Sequence, residues 1–455
     1  MKRSAAPVIP TAPGALPLIG HSLALLRQPW TFLESLSALD SGLVRVRIGP
    51  MATAVVVCDP VLTQQVLRND RVFDKGGPLF EVARHVVGDN VITASHDAHR
   101  RQRRLIQPAF HRGRLPGYVT AMSREIDAVT DRWRDGETID VLSEMLHITL
   151  RSFLAAMFSE SLTPAALDHA LSDVTTIVTG LYRQMLLPRP LDELPTRRNL
   201  RYHRARAGLR RLVDRIVDKR LDEGADHGDL LSSLIAAHGG AARCDRDSLH
   251  DQLTAFFIAG SETTASVLAW ALYLLSRHPA TWRAVQLEAD RVSLDGHMRY
   301  GHASELTTTR RVLAETMRLY PPGWLFTRTV TTETLLGGYR LAPGTAVVYS
   351  PYLLHRLPTM FREPSRFDPD RWNADPGLDD CPSYIPFGAG ARRCAGEHFA
   401  LAEATLTLAT IARRWQLLPS SMRPVRPAVA MALRPRAFRL RVMARTHAES
   451  GVAQS

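Results

Sequence analysis

The feature that most constrains this 455-residue chain is a run of about 30 residues, Leu249 to His278, apolar on nearly every side and closed by Pro279. At ~1.5 Å per residue a helix of that length spans ~45 Å, enough to cross a whole molecule. A helix apolar all round belongs in a core rather than on a surface. Its middle, Ala259-Gly260-Ser261-Glu262-Thr263-Thr264, breaks the pattern. A carboxylate and three hydroxyls in a core helix are costly unless satisfied. Hydroxyls there can also divert a backbone bond and bend the helix. Taken alone, the stretch fits either a bent structural helix with a capped Glu or a polar site built into the core.

The second feature is Phe387-Gly388-Ala389-Gly390-Ala391-Arg392-Arg393-Cys394-Ala395-Gly396. It precedes a run, Glu397 to Trp415, whose apolar spacing without Pro or Gly predicts a buried helix. Cys394 therefore falls at or just before a helix N-terminus, where free N–H groups and the positive dipole end favour a thiolate. Arg392 and Arg393 add positive charge, and the glycines permit a tight turn and close approach. That suits a metal ligand, whereas a lone Cys is more often a small buried apolar residue.

Spacing separates the two readings. Phe387, Gly390, Arg392, Cys394 and Gly396 resemble the haem-binding loop of the cytochrome P-450 family without a departure. The resemblance implies that Cys394 is the axial thiolate ligand of haem iron, that Phe387 packs near the sulfur, and that Arg392 faces a haem propionate. The polar centre of the long helix is similar to the family's oxygen-activation motif, which implies a proton-delivery role for Glu262 and Thr263. His99 and Arg103, four apart on one helical face, match the family's propionate-binding pair, and Arg328 resembles another propionate contact. Glu315, Arg318 and Arg371 match its buried ion-pair triad, which is structural. The resemblance runs from the proline-rich leader, Pro13 to Gly20, to the C-terminal strands.

The fold so implied is mainly α with a small β region, the haem (haem b) lying between the long core helix and the helix after Cys394. No linker is convincing, so residues 1–455 read as one P-450 domain, with an extended arm at 1–20 and a disordered tail at 446–455. Helices are expected at Trp30–Ala38, His96–Phe110, across Tyr118–Ala237 with breaks near Pro188 and Gly239, and at Arg310–Tyr320. Alternation in Val44–Ile48 and Thr53–Val57 predicts a hairpin around Gly49-Pro50. A second hairpin is expected in Leu335–Ser350, turning at Ala342-Pro343-Gly344, and residues 73–95 read as a long loop with at most a short helix. Residues Val425–Val442 read as a last small sheet.

Composition bounds the rest. The balance of 57 basic and 45 acidic residues gives +12, which from charge alone fits a solvated, mostly arginine surface. No basic patch interleaved with aromatics suggests a nucleic-acid platform. The four cysteines, Cys58, Cys244, Cys381 and Cys394, have no pairing pattern or zinc spacing, which suits a reducing cytoplasm. The apolar piece Ala15–Gly20 is too short for a signal segment, so the chain is expected to be cytoplasmic, without a membrane anchor, and a monomer.

The activity implied is monooxygenation: one atom of O2 inserted into a hydrophobic small molecule by hydroxylation or epoxidation. No GxGxxG fingerprint is present, so electrons are expected from a ferredoxin and its reductase. By family analogy the substrate pocket is walled by Phe80, Val82, Phe256, Ala259, Trp324, Leu325, Phe326, Val429 and Met431, apolar side chains with little to hold a charge. The chain resembles actinobacterial sesquiterpene (pentalenene-type) oxygenases, implying a terpene substrate; a macrolide, polyketide or fatty acid is the alternative. A peroxide-driven haem-thiolate enzyme is a further alternative, against which the intact acid–threonine pair argues.

Overall fold

The structure is a computed structural model that describes residues 8–49, 52–186, 194–240, 245–293, 297–373, 381–428, 430 and 432–445. Its helices are α1 Ser22–Arg27, α2 Pro29–Ser37, α3 Pro60–Arg68, α4 Pro78–Val87, α5 His96–Ile106, α6 Leu115–Thr130, α7 Val141–Met157, α8 Pro164–Leu186, α9 Arg197–Glu223, α10 Leu230–Ala237, α11 Arg246–Arg277, α12 Pro279–Val292, α13 Thr307–Leu319, α14 Pro351–Leu354 and α15 Glu397–Arg414. The strands are β1 Leu43–Ile48, β2 Ala52–Val57, β3 Phe73–Asp74, β4 Thr138–Asp140, β5 Phe326–Val330, β6 Thr334–Leu336, β7 Tyr339–Leu341, β8 Ala346–Tyr349, β9 Trp415–Pro419 and β10 Arg439–Ala444. A mainly α fold with a small β region is what the sequence predicts.

The apolar run is the axis of the molecule. α11 starts at Asp245, whose carboxylate accepts from the N–H groups of Asp247 and Ser248, satisfying two of the donors a helix start leaves free. It lies along α7 and touches α9, α13 and α15. Phe257, Leu268, Trp270 and Leu272 on it are fully enclosed, each contributing ~1.5–3 kcal/mol by burial. α11 is long and apolar enough to cross a membrane, but 78% of its most apolar window is buried inside the fold, and Ser261, Glu262 and Thr264 interrupt it. It is a core helix.

One sheet runs β1-β2-β8-β5-β3, with β2 and β8 parallel and the other pairs antiparallel. The β1–β2 hairpin forms as expected, with Ile48 opposite Ala52. The second hairpin does not turn at Ala342–Gly344. It joins β6 to β7 through Gly337 and Gly338, both at positive φ, and β8 leaves it to pair with β2 and β5. The Gly-Gly pair reaches the left-handed region without the steric cost other residues meet there. Residues 73–95 are less loop-like than expected, because α4 takes ten of them, with Gly77 and Gly88 as its end residues. At the C-terminus, β10 pairs with β9 and β4, while residues before Arg439 make only isolated bridges.

Candidate active site

The cysteine loop is shaped by backbone contacts. Gly390 sits at φ +68°, and a Cβ there would come within 2.5 Å of the Leu67 carbonyl at the end of α3. The Cys394 N–H donates to Phe387 O at 2.9 Å, which folds the loop back before Gly396 opens α15. Arg103 of α5 reaches in and donates to Arg393 O at 2.9 Å. Cys394 is surrounded by protein yet keeps a large free surface, so its sulfur opens on space inside the fold. Burial raises its thiol pKa, against the lowering effects of the Gly396 N–H, Arg103 and Arg393. The protein alone therefore favours the thiol; a bound metal ion would shift it to thiolate.

The second polar group is the centre of α11. Ala259 and Thr263, four residues apart and so on one face, are both partly accessible although they lie mid-helix. The Thr263 hydroxyl donates to Ala259 O at 2.8 Å, leaving its oxygen lone pairs as acceptors. Ser261 and Ser266 bond back to Phe257 O and Glu262 O, and Thr149 of α7 donates to Ser261 O at 2.8 Å. Gly260 has a different neighbour: a Cβ there would lie 2.6 Å from the Phe153 ring of α7. Its missing side chain admits an aromatic ring.

Glu262 is the exception among these groups. It is buried, and neither carboxylate oxygen has a hydrogen bond. Arg434 Nη1 lies 3.4 Å from Oε1, and its Nη2 donates to the Thr179 hydroxyl at 2.9 Å. Burial raises the Glu262 pKa to about 7, with Arg434 opposing. A carboxyl balanced between its two states near neutral pH is suited to proton transfer.

A third group consists of buried basic side chains. Arg328, in the middle of β5, is buried and donates only to Thr327 O and the Tyr349 hydroxyl, at 3.2 and 3.3 Å. Among the described residues no carboxylate lies within ion-pair distance of it. His99 is buried with Nδ1 unpartnered, and burial together with Arg392 and Lys75 lowers its pKa to about 3. Lys75 rests over the Phe80 ring at 4.0 Å, its pKa pushed down by burial, Arg328 and Arg392. Lys75 and Arg103 both feel Cys394, so this cluster and the sulfur share one locality. Arg392 is different, because Asp70, Asp74 and the Ala94 carbonyl engage its guanidinium at 3.1, 2.6 and 2.7 Å. It ties the cysteine loop to β3, and its charge is balanced within the protein.

Buried unpaired cations beside a sulfur with free surface fit a flat metallomacrocycle with an axial thiolate and carboxylate side groups. An uncompensated Arg328 is costly in the interior, and an anion placed there removes the cost.

The pocket walls are partly as expected. Leu325 lines a narrow apolar cleft with Tyr182 and Val348, Ala259 faces the interior, and Val82 is partly buried against the main core. Phe256 is buried against the Phe110 ring, 5.7 Å away. Trp324 is no wall: Trp30 and Tyr182 enclose its indole at 4.5 and 5.4 Å, and its Nε1–H donates to Ala430 O. Phe326 stacks on Tyr349. Phe80 carries Lys75 and lies 5.8 Å below Arg328, so it belongs to the cationic group. Val429 and Met431 lie outside the described residues. Sequence reasoning missed Lys75, Asp70, Asp74 and Arg434, none of which sits in a periodic or spaced motif.

Together these elements define a mainly helical haem-thiolate protein. The chain belongs to the cytochrome P450 family, whose sequence model (Cytochrome P450) matches residues 10–441. It is 44% identical over 429 residues to cyclooctatin synthase of Streptomyces melanosporofaciens, covering 93% of each chain. It is 41% identical over 440 residues to pentalenene oxygenase of Streptomyces avermitilis, covering 96% of this chain and 97% of that one. Cyclooctat-9-en-7-ol 5-monooxygenase of S. melanosporofaciens is 41% identical over 426 residues, 92% of each. The chain is a haem-thiolate monooxygenase.

Proposed function

We propose that the enzyme oxygenates a cyclic terpene hydrocarbon or alcohol, drawing electrons from a ferredoxin and its reductase. Haem b is the cofactor, and when bound it supplies the thiolate-tuned iron at which dioxygen is reduced and cleaved. Cys394 would hold its iron through the sulfur, and Arg328, Lys75, His99 and Arg103 would hold its carboxylates. The observation that carries the reading is the pairing of Glu262, buried without a hydrogen-bond donor, with Thr263, whose oxygen is left as an acceptor toward the interior. Glu262 Oε1 takes a proton on the side of Arg434. Thr263 Oγ1 accepts a hydrogen bond at the oxygen site and orients the proton delivered there. Leu325, Val82 and Ala259 exclude water and hold an apolar scaffold by shape.

The terpene class rests on three relatives whose names carry pentalenene, cyclooctatin and cyclooctat-9-en-7-ol and on apolar walls. The electron donor is placed at the α5 face, where Arg100, Arg101 and Arg104 are exposed near the cysteine loop. The test is a ligand screen on the purified holoenzyme, followed by turnover of each hit with a ferredoxin and reductase. Cyclic sesqui- and diterpenes should shift the Soret band toward the high-spin position, and hits should yield mono-oxygenated products. Shifts from macrolides or long fatty acids, with none from terpenes, would overturn the substrate class while leaving the monooxygenase chemistry in place.

A further inference from the structure

On α9, Arg197, Arg201, Arg204, Arg211 and Arg215 are all exposed. Their spacing of four, three, seven and four residues returns to one side of a helix, at 100° per residue within an arc of about 80°. They form a single stripe about 27 Å long. Among the described residues none of the five has a carboxylate within ion-pair distance. Of the acids nearby, Asp214 faces His250 and Arg210 and Asp218 pairs with Arg246, while Asp173 of α8 lies against Gly208, between Arg204 and Arg211, and feels Arg211 without an ion pair. Only Asp222, near the C-terminal end, continues the stripe with opposite sign.

The stripe begins beside exposed apolar side chains. Leu200, on the edge of the stripe, and Leu194, just before α9, are 43% and 48% exposed. A chain of bonds links this end to another apolar tip. Asn199 donates to Leu194 O and accepts from Arg183 of α8. The neighbouring Tyr182 donates to Leu25 O, and both Tyr182 and Leu25 line the apolar cleft, whose wall also includes Ile48. Ile48 bridges Gly20, which closes a tight turn with Leu16. That turn presents Leu18 at 75% exposure, with Leu16 and Ile19 beside it. Exposed leucines and an isoleucine thus lie on segments bonded to the lining of the cleft that includes Leu325 and Thr327, and the arginine stripe extends from Leu194 and Leu200.

We propose that this face docks on an anionic lipid bilayer, with the arginines on the headgroups and Leu18, Leu194 and Leu200 dipping into the interface. An extended array in which arginine predominates calls for an extended anion, and arginine next to exposed aliphatic side chains matches an anionic membrane surface. The absence of aromatic side chains along the stripe disfavours nucleic acid. Such docking would set the cleft mouth against the phase into which an apolar substrate partitions. This goes beyond the oxygenase reading, and its test does not measure turnover.

The test is co-sedimentation of the full-length holoenzyme with vesicles of phosphatidylglycerol and phosphatidylcholine, against phosphatidylcholine alone and double-stranded DNA. The wild type should bind the anionic vesicles in low salt, lose affinity as salt rises, and ignore neutral vesicles. The variant R201E/R204E/R211E/R215E should lose at least about 100-fold in vesicle affinity, since each basic residue near such a surface counts for about 5-fold. L18S/L200S should weaken the binding that survives high salt. Reversal on the opposite group, R100E/R101E/R104E, should leave vesicle affinity within about 5-fold. A Soret band and circular dichroism spectrum matching wild type establish that each variant is folded. Failure of the wild type to bind anionic vesicles, unchanged affinity in the α9 reversal, or tighter binding to DNA than to vesicles would each overturn the proposal.

Discussion

Removing the carboxylate of Glu315 should cost far more stability than removing the arginine across from it. Glu315 is fully buried and accepts five hydrogen bonds: two from Arg318 at 2.8 Å, and one each from Arg371, Trp372 and the Asp368 N–H at 3.0, 3.1 and 3.0 Å. Arg318 is equally buried and also holds the carbonyls of His355, Pro364 and Arg366. Glu315→Ala therefore strands Arg318 as an uncompensated interior charge, at ~3–5 kcal/mol. Arg371 is 13% exposed at its side chain and contributes one bond to Glu315, which keeps its bidentate pair with Arg318 when Arg371 is lost. Arg371→Ala should then cost ~1.5–3 kcal/mol. Against a total of ~5–15 kcal/mol, the first change leaves little holoprotein and the second a weakened one. The assay is urea unfolding followed by far-ultraviolet circular dichroism, with the Soret band as a separate record of haem retention. Equal costs for the two variants, or a Glu315→Ala loss below about 1 kcal/mol, would refute the argument that the buried partner sets the cost.

Two further outcomes are expected. Glu262 binds a proton in the native state up to about pH 7, whereas an ordinary carboxyl releases it near pH 4.5. The native state therefore loses stability as pH rises between those values, by on the order of 3 kcal/mol in all; Glu262→Gln should remove that slope in melts run from pH 5 to pH 8, and Thr263→Ala should keep it while diverting electrons to hydrogen peroxide. Reduction of the substrate-bound enzyme by a ferredoxin should slow as salt rises, and Arg101→Glu or Arg104→Glu should lower the rate and flatten that dependence in stopped-flow measurements.

How much of this was legible in the chain depended on whether the signal was contiguous. α11, α13 and α15 follow from apolar periodicity within a few residues of their observed ends. The Cys394 loop and the Glu315–Arg318 pair are short-range patterns, and the structure brings Arg371 onto Glu315 as expected. Turn chemistry was misjudged where two signals competed, and Gly337-Gly338 prevailed over Pro343-Gly344 because β8 was needed between β2 and β5. Trp324 was read as a wall from its position, but it lies just before β5, where its indole packs against Trp30 and Tyr182 from distant segments. Arg434, Lys75 and the Asp70–Asp74 pair had no signal at all, because their partners are separated by many residues and only the fold makes them neighbours.

The buried charges sort by one criterion, whether the protein neutralises them itself. Arg318, Arg371 and Arg392 are each matched to carboxylates within 3.1 Å, and each joins segments far apart in the chain. Their work is architectural: they fix the path into the cysteine loop and pin that loop to β3. Arg328 has no such match, His99 keeps a buried Nδ1 without a hydrogen bond, and Glu262 faces only Arg434 at 3.4 Å, with neither oxygen hydrogen-bonded. A fold that satisfies five donors on Glu315 does not leave these groups unpaired for want of partners; Asp74 and Asp70 are close enough to serve the cationic cluster and serve Arg392 instead. Lys75 and Arg103, beside these groups, share the locality of the cysteine sulfur, and Glu262 precedes Thr263 on α11; under the proposed function the first set would hold carboxylates and the second would pass protons. Incomplete compensation, added to burial and charge, is what singles out Arg328, His99 and Glu262 for the roles proposed for them.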